Sequence, residues 1–221
     1  MDLWAKNLEE AKEIQGFLTK IVSLHTPVKK ISYVCGLDAS YSPDYVYACA
    51  SVFKFPELIH IEDSISKIGL EFPYIPGFLS FREGKALLSA INHLKVKPDV
   101  LIIDGHGIAH PKSCGIATHV GIAAGISSIG CAKSCLIGKY NSPSKNRGSF
   151  TYLYLEEKKV GLVLRTKDNT RPLFVSPGYM IDLYCSLDIV LKCTGNYRTP
   201  EPLRRAHMYS KQARDLSFKK T

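Results

Sequence analysis

Apolar residues recur at three- and four-residue steps from position 3 to 22, where Trp4, Leu8, Ala11, Ile14, Leu18 and Ile21 share one side of an amphipathic helix. Such a stripe predicts a helix packed on something larger. The pattern then changes to stretches dense in β-branched and aromatic residues: Ile31 to Leu37, Tyr45 to Phe55 and Leu58 to Ile65, separated by SYSPD and by Pro56. Links this short predict an antiparallel meander.

After the turn-rich FPYIPG, the run SFREGKALLSAINHL carries Leu87, Leu88, Ile91 and Leu94 at helical spacing. Ser80 followed three residues later by Glu83 has the form of a capping box for that helix. DVLIIDG is a wholly apolar strand of the kind buried on both faces of a sheet. Gly115 to Gly125 predicts a helix of small residues, Phe150 to Leu155 with Val160 to Arg165 a hairpin, and Leu173 to Val175 a short strand. Two helices close the chain, from about Ile181 to Cys193 and from Glu201 to Phe218, and KYNSPSKNRGS is expected to be a mobile surface loop. The expected fold is α/β with a central mixed sheet, an antiparallel meander joined to parallel strands, flanked by helices. This element order resembles the ribonuclease H-like fold, an analogy that does not by itself give a function.

With 221 residues, 45% of them hydrophobic and 22% charged, the chain is expected to form one domain over residues 1–221. Its longest apolar run, Gly121 to Ile129, falls far short of the roughly 20 residues a membrane span needs. MDLWAKNLEE lacks the features of a signal peptide, so a cytoplasmic protein is expected. The seven cysteines include no CxxC pair, which argues against structural zinc and for buried thiols without disulfides. A formal charge of +9 favours a polyanionic partner, and no membrane partner. Arg198, Arg204, Arg205, Lys211, Arg214, Lys219 and Lys220, against Glu201 and Asp215, predict a basic face on the last helix, with a merely solvated helix as the alternative.

The candidate chemistry lies in three acids. Asp38 ends the run ISYVCGLD and Asp104 ends VLIID, so both carboxylates are expected at the exits of central strands. Glu83 precedes Leu87, Ile91 and Leu94 by offsets that, at about 100° per residue, return to within roughly 80° of one face, so it points inward. Converging buried carboxylates repel one another unless a cation intervenes, and an all-oxygen set suits Mg²⁺ or Mn²⁺. Taken singly, Asp38 and Asp104 also read as turn residues and Glu83 as an N-cap partner. His106 and His110 in GHGIAHP could relay a proton or be structural, and Lys133 in GCAKS could stabilise a phosphate or be an ordinary surface lysine. His207, four residues beyond Leu203, is expected to face inward.

The ordered series GLDASY, PYIPGFLSFREG, PDVLIIDGHGIAHP, GIATHVG, IGCAKSCLIG, LRT, PLFVSPG and PEPLRRAH, spread over residues 31 to 210, resembles the motifs of the endonuclease V family. The resemblance implies an acidic metal triad of Asp38, Glu83 and Asp104, a histidine at His207 lining the same site, and a phosphate-contacting Lys133. It also implies a wedge at Pro73, Tyr74, Ile75 and Pro76 that fills the gap left by a flipped base, although a rigid turn is the plainer reading. Backbone groups at Gly77, Leu79, Gly105 and Ile116 would line a hypoxanthine pocket, with His110 beside it. The implied reaction is Mg²⁺-dependent hydrolysis of the second phosphodiester bond 3′ to deoxyinosine, with Mn²⁺ as a substitute and a monomer as the default. Two other nucleases stay open, an inosine-specific endoribonuclease and a structure-specific enzyme of the same fold, as does a non-catalytic nucleic-acid-binding module. Where the family often has His after SPG this chain has Tyr179, which leaves that position's phosphate contact open.

Overall fold

The computed structural model describes residues 2–25 and 30–218. Helix α1 (Leu8–Ile21) begins at Asn7, whose side chain accepts from the Glu10 amide, and it buries Ala11, Ile14, Gln15 and Leu18. The apolar stripe suggests a start at residue 3. Trp4 instead precedes the helix, its ring stacked on His119 at 4.7 Å and fitted over Gly84, which has no Cβ to obstruct it.

Strands β1 (Tyr33–Tyr41), β2 (Tyr45–Lys54) and β3 (Ile59–Gly69) form the expected antiparallel meander. Helix α2 (Leu79–Asn92), β4 (Val100–Ile103), α3 (Ile116–Ala124) and β5 (Ser127–Ala132) follow, with β4 parallel to both β1 and β5. Strands β6 (Phe150–Leu155), β7 (Lys158–Leu164) and β8 (Leu173–Tyr179) add an antiparallel half, giving an eight-stranded mixed sheet in the order β3-β2-β1-β4-β5-β8-β7-β6. Helices α4 (Leu183–Lys192) and α5 (Glu201–Phe218) end the chain. The sheet and its flanking helices have the ribonuclease H-like architecture.

Alternation along β1 divides its side chains between two layers. Cys35 and Leu37 pack with Ala86, Leu87, Ala90 and Ile91 of α2. Val34 joins Leu203 of α5, and Gly36 lies directly beneath the Pro202–Leu203 backbone. Asp38 has the same parity as Gly36, so it faces α5.

Several expectations need correction. Asp38 is not at a strand exit, because β1 runs on for three residues and pairs Asp38 with Cys49. The capping box does not form: α2 starts after Phe78 with no side-chain cap, Ser80 hydrogen-bonds His119 at 2.9 Å, and Glu83 turns into the core. Both polar groups have tertiary partners that displace the local one. Strands β3 and β8 are longer than their apolar runs suggest because they continue through Ser66, Lys67, Ser176 and Pro177. The segment from Lys139 to Ser149 is pinned: Arg165 donates to the Ser144 and Pro143 carbonyls, and Arg147 to those of Leu191 and Thr194. Cys35, Cys49, Cys114, Cys131 and Cys193 are buried thiols, as expected. No helix of the described residues is long and apolar enough to cross a membrane.

His119 ties the N-terminal segment down, with one ring nitrogen 3.0 Å from the Leu3 carbonyl and the other on Ser80. Burial holds the imidazole neutral, its pKa pushed from 6.5 to about 4. The unfolded chain therefore takes up this proton first. The stabilisation is complete above pH 6.5 and is lost as pH falls toward 4, by about 2 kcal/mol between about pH 7 and 5. Urea denaturation at those two pH values should show a larger fall for the wild type than for His119→Gln. Equal falls would contradict the assignment.

Candidate active site

The register of the parallel strands brings the acids together. Leu37 lies opposite Ile103, and the Asp104 amide donates to the Leu37 carbonyl, so Asp38 and Asp104 each follow a member of the last paired step of β1 and β4. Asp38 Oδ2 accepts from Ser210 Oγ at 2.7 Å and lies 3.2 Å from His207 Nδ1, both on α5. Asp104 pairs with the ammonium of Lys133, the residue just after β5. One ligand atom each from Asp38, Asp104 and His207 fall within 4.8 Å of one another.

Glu83 comes from α2, on the other layer. It lines the same pocket without joining that tight trio, and the Tyr41 hydroxyl donates to its Oε1. Burial, followed by the nearby Asp38 and Asp104 carboxylates, pushes Glu83 up to about 8 despite the Tyr41 hydrogen bond. Burial likewise raises Asp38, aided by Asp104 and opposed by Ser210, His207 and Lys133. A hard divalent cation would relieve this desolvation and repulsion, so the residues fit a metal site.

The acids line a pocket of about 460 Å³. The turn between β3 and α2 also lines it, where Tyr74 is 68% exposed, followed by Ile75, Pro76, Gly77 and Leu79; Pro73 begins this turn. Gly105, Ile116, His106 and His110 line it too. Gly105 has φ +145, and a Cβ there would sit 2.5 Å from Ile116 Cγ2, so glycine suits this close approach to Ile116. Burial lowers the pKa of both histidines, that of His110 to about 4. Their neutral rings suit recognition or packing better than charge stabilisation.

Three supporting residues escaped the sequence reading. Gln15 of α1 donates to the carbonyls of Gly77 and Cys114, so the N-terminal helix clamps two pocket loops. A glutamine on an apolar helical stripe was its signal. Ser210 was legible as three residues beyond His207 on one helix face. Tyr41 was not, because its partner Glu83 is 42 residues away.

The charge of the C-terminal segment is partly paired, and the position left open at Tyr179 can be placed. Arg204 pairs with Glu201, Arg205 with Asp63 and Arg214 with Asp215, while Arg198 donates to the Lys133 and Pro172 carbonyls. Three arginines of the basic face are thus paired with acids; Lys219 and Lys220 lie outside the described residues. Tyr179 pairs with Ser128 near the start of β5, away from the end that carries Lys133.

The profile of the family described as Endonuclease V matches residues 17–208. The chain belongs to the endonuclease V family. Endonuclease V of Dictyoglomus thermophilum is 47% identical over 211 residues, covering 96% of this chain and 92% of that protein. The crystal structure of endonuclease V from Streptomyces avermitilis has a TM-score of 0.92 at 34% identity and covers 97% of this chain and 96% of its own. Endonuclease V of Ciona intestinalis, crystallised with a 24mer DNA containing an inosine followed by a ribo-adenosine, has a TM-score of 0.82 at 24% identity and covers 94% of this chain and 97% of its own, a likeness of fold. As an endonuclease V family member, the protein is a nuclease, and Asp38, Glu83, Asp104 and Lys133 line one pocket.

Proposed function

We propose that the protein is a Mg²⁺-dependent endonuclease that takes the hypoxanthine base of deoxyinosine in DNA into this pocket and hydrolyses the second phosphodiester bond 3′ to it, leaving a 3′-hydroxyl and a 5′-phosphate. The observation that carries this reading is the adjacency of the acid cluster with Lys133 to a pocket walled by the Tyr74 turn and the Gly77 and Gly105 backbones. Asp38, Glu83 and Asp104 would hold one or two Mg²⁺ ions, with Mn²⁺ able to substitute. The ion supplies Lewis acidity toward the scissile phosphate and makes water a better nucleophile.

The chain's own residues do the rest. Ser210 and His207 fix the orientation of Asp38, and Tyr41 fixes Glu83. The Lys133 ammonium, beside Asp104, is available to a phosphate oxygen and stabilises the charge that gathers there as water adds in line and the P–O3′ bond breaks. Tyr74 fills the space vacated by the flipped base, and the two prolines flanking Tyr74 and Ile75 stiffen it. Gly77, Leu79, Gly105 and Ile116 contact the base, with His110 behind them. The chain would act as a single domain and a monomer, in the cytoplasm, in DNA repair.

An inosine-specific endoribonuclease is the second reading, favoured by the ribo-adenosine next to inosine in the DNA bound by the Ciona intestinalis protein. Matched labelled DNA and RNA strands, each with and without one inosine, decide between them in the presence of Mg²⁺. Cutting one nucleotide beyond inosine in DNA supports repair, and preference for RNA makes the protein a ribonuclease. Indifference to inosine would leave only a structure-specific nuclease.

Tyr74→Ala should leave the melting temperature unchanged, because the ring is 68% exposed, yet weaken binding of inosine-containing strands about tenfold. Unchanged affinity would refute the wedge.

A further inference from the structure

Strand β6 ends the sheet, and along it Phe150, Tyr152 and Tyr154 alternate onto one face. Their rings meet edge to face, with centroids 5.8 Å and 6.0 Å apart. Lys159 holds its ammonium 3.9 Å from the Tyr152 ring centroid, and the Tyr152 hydroxyl meets that of Tyr184 at 2.9 Å. Beside this row the chain from Lys139 to Asn141 forms the other wall of a groove of about 450 Å³. Tyr140, Tyr154 and Tyr184 are 41%, 36% and 62% exposed. The Lys139 backbone pairs with Tyr154 and covers part of the β6 edge, yet these rings stay exposed, and an exposed aromatic cluster needs a reason to persist.

We propose that this groove is a second nucleic-acid subsite, which stacks unpaired bases of the same strand whose inosine enters the catalytic pocket. The inference rests on the nuclease reading of that pocket and extends it to the flanking nucleotides. Three features favour a single strand over any other occupant. The exposed rings offer π-faces that accept any base, whereas a duplex hides its bases. Lys139 lines the groove and Lys159 lies over the ring of Tyr152, which also lines it, so both ammonium groups can meet phosphates. The groove also lies close to the active site along the chain: Lys133 to Leu136 line the catalytic pocket, and Lys139, which lines the groove, is three residues on, at most about 11 Å away.

Fluorescence anisotropy with divalent ions chelated tests the subsite. The probes are a short inosine strand that fits only the catalytic pocket, the same strand extended by about eight nucleotides on either side, and adenine counterparts of each. Wild-type protein should bind one extended strand about tenfold tighter than the short one, and Tyr154→Ala should remove that gain while leaving the short strand unaffected. The double variant Lys139→Gln/Lys159→Gln, altered only at the surface, should lower the slope of log affinity against log salt by about 1 on the extended strand alone. Affinity that ignores length, or variants that change both lengths equally or neither, would overturn the subsite. Length and Tyr154 effects that persist on adenine strands support it even if no inosine preference is found. That result would sink the inosine reading and leave the platform standing.

Discussion

Asp38→Asn and Asp104→Asn should each reduce cleavage of an inosine-containing strand by at least about a thousandfold, a loss of about 4 kcal/mol of transition-state stabilisation, while the strand still binds. Each change removes a negative charge from a cluster whose members repel one another and a phosphate, so binding without divalent ions should hold or tighten. Folding should not suffer. The side-chain carbonyl introduced by Asp38→Asn would still accept from Ser210, and burying an amide costs less than burying a carboxylate. Denaturation midpoints at or above the wild-type value would separate lost chemistry from lost structure. Substantial Mg²⁺-dependent cutting by both variants, with the same products, would refute the assignment of these acids.

The frame of the fold was legible because most of its strands and helices obey their own periods. The meander, β4, α3 between its glycines and the closing helices follow from alternation, from apolar runs and from punctuation by Gly and Pro. The misread places share one cause, a polar side chain whose partner is distant in sequence. Glu83 and Ser80 match a capping box locally, yet Tyr41 and His119 claim them. The loop from Lys139 to Ser149 has the composition of a mobile segment, but its carbonyls are satisfied by Arg165. Arg205 of α5 looks free for a phosphate until Asp63, 142 residues away, is set beside it. The acid cluster was legible for the converse reason. A carboxylate at the end of an apolar run, or inside an apolar helical face, violates its local pattern, and three such violations in one chain point to one shared purpose. What no local pattern could reveal is the approach from two layers, with Asp38 facing α5 and Glu83 descending from α2.

That approach depends on Gly36. Two residues before Asp38 and on the same face of β1, it packs directly against the start of α5, and a Cβ built there would lie 2.1 Å from the Pro202 carbonyl carbon and 2.4 Å from the Leu203 nitrogen. These are backbone atoms at the start of a helix, so no rotamer change relieves the overlap; the helix must shift or the strand must bend. Gly36→Ala should therefore cost about 3 kcal/mol, near the upper end of the usual range for overpacking, and lower Tm by about 10 °C in a chain of this size. The loss of activity should exceed what unfolding explains. His207 and Ser210 ride on the displaced helix, and their contacts to Asp38, at 3.2 Å and 2.7 Å, do not survive a shift of an ångström or more. At a temperature where Gly36→Ala is still fully folded, cleavage should fall at least about tenfold while strand affinity changes little. A variant with wild-type Tm would show that α5 yields freely at this contact. One with lowered Tm and intact turnover would show instead that Asp38 keeps its orientation without the helix.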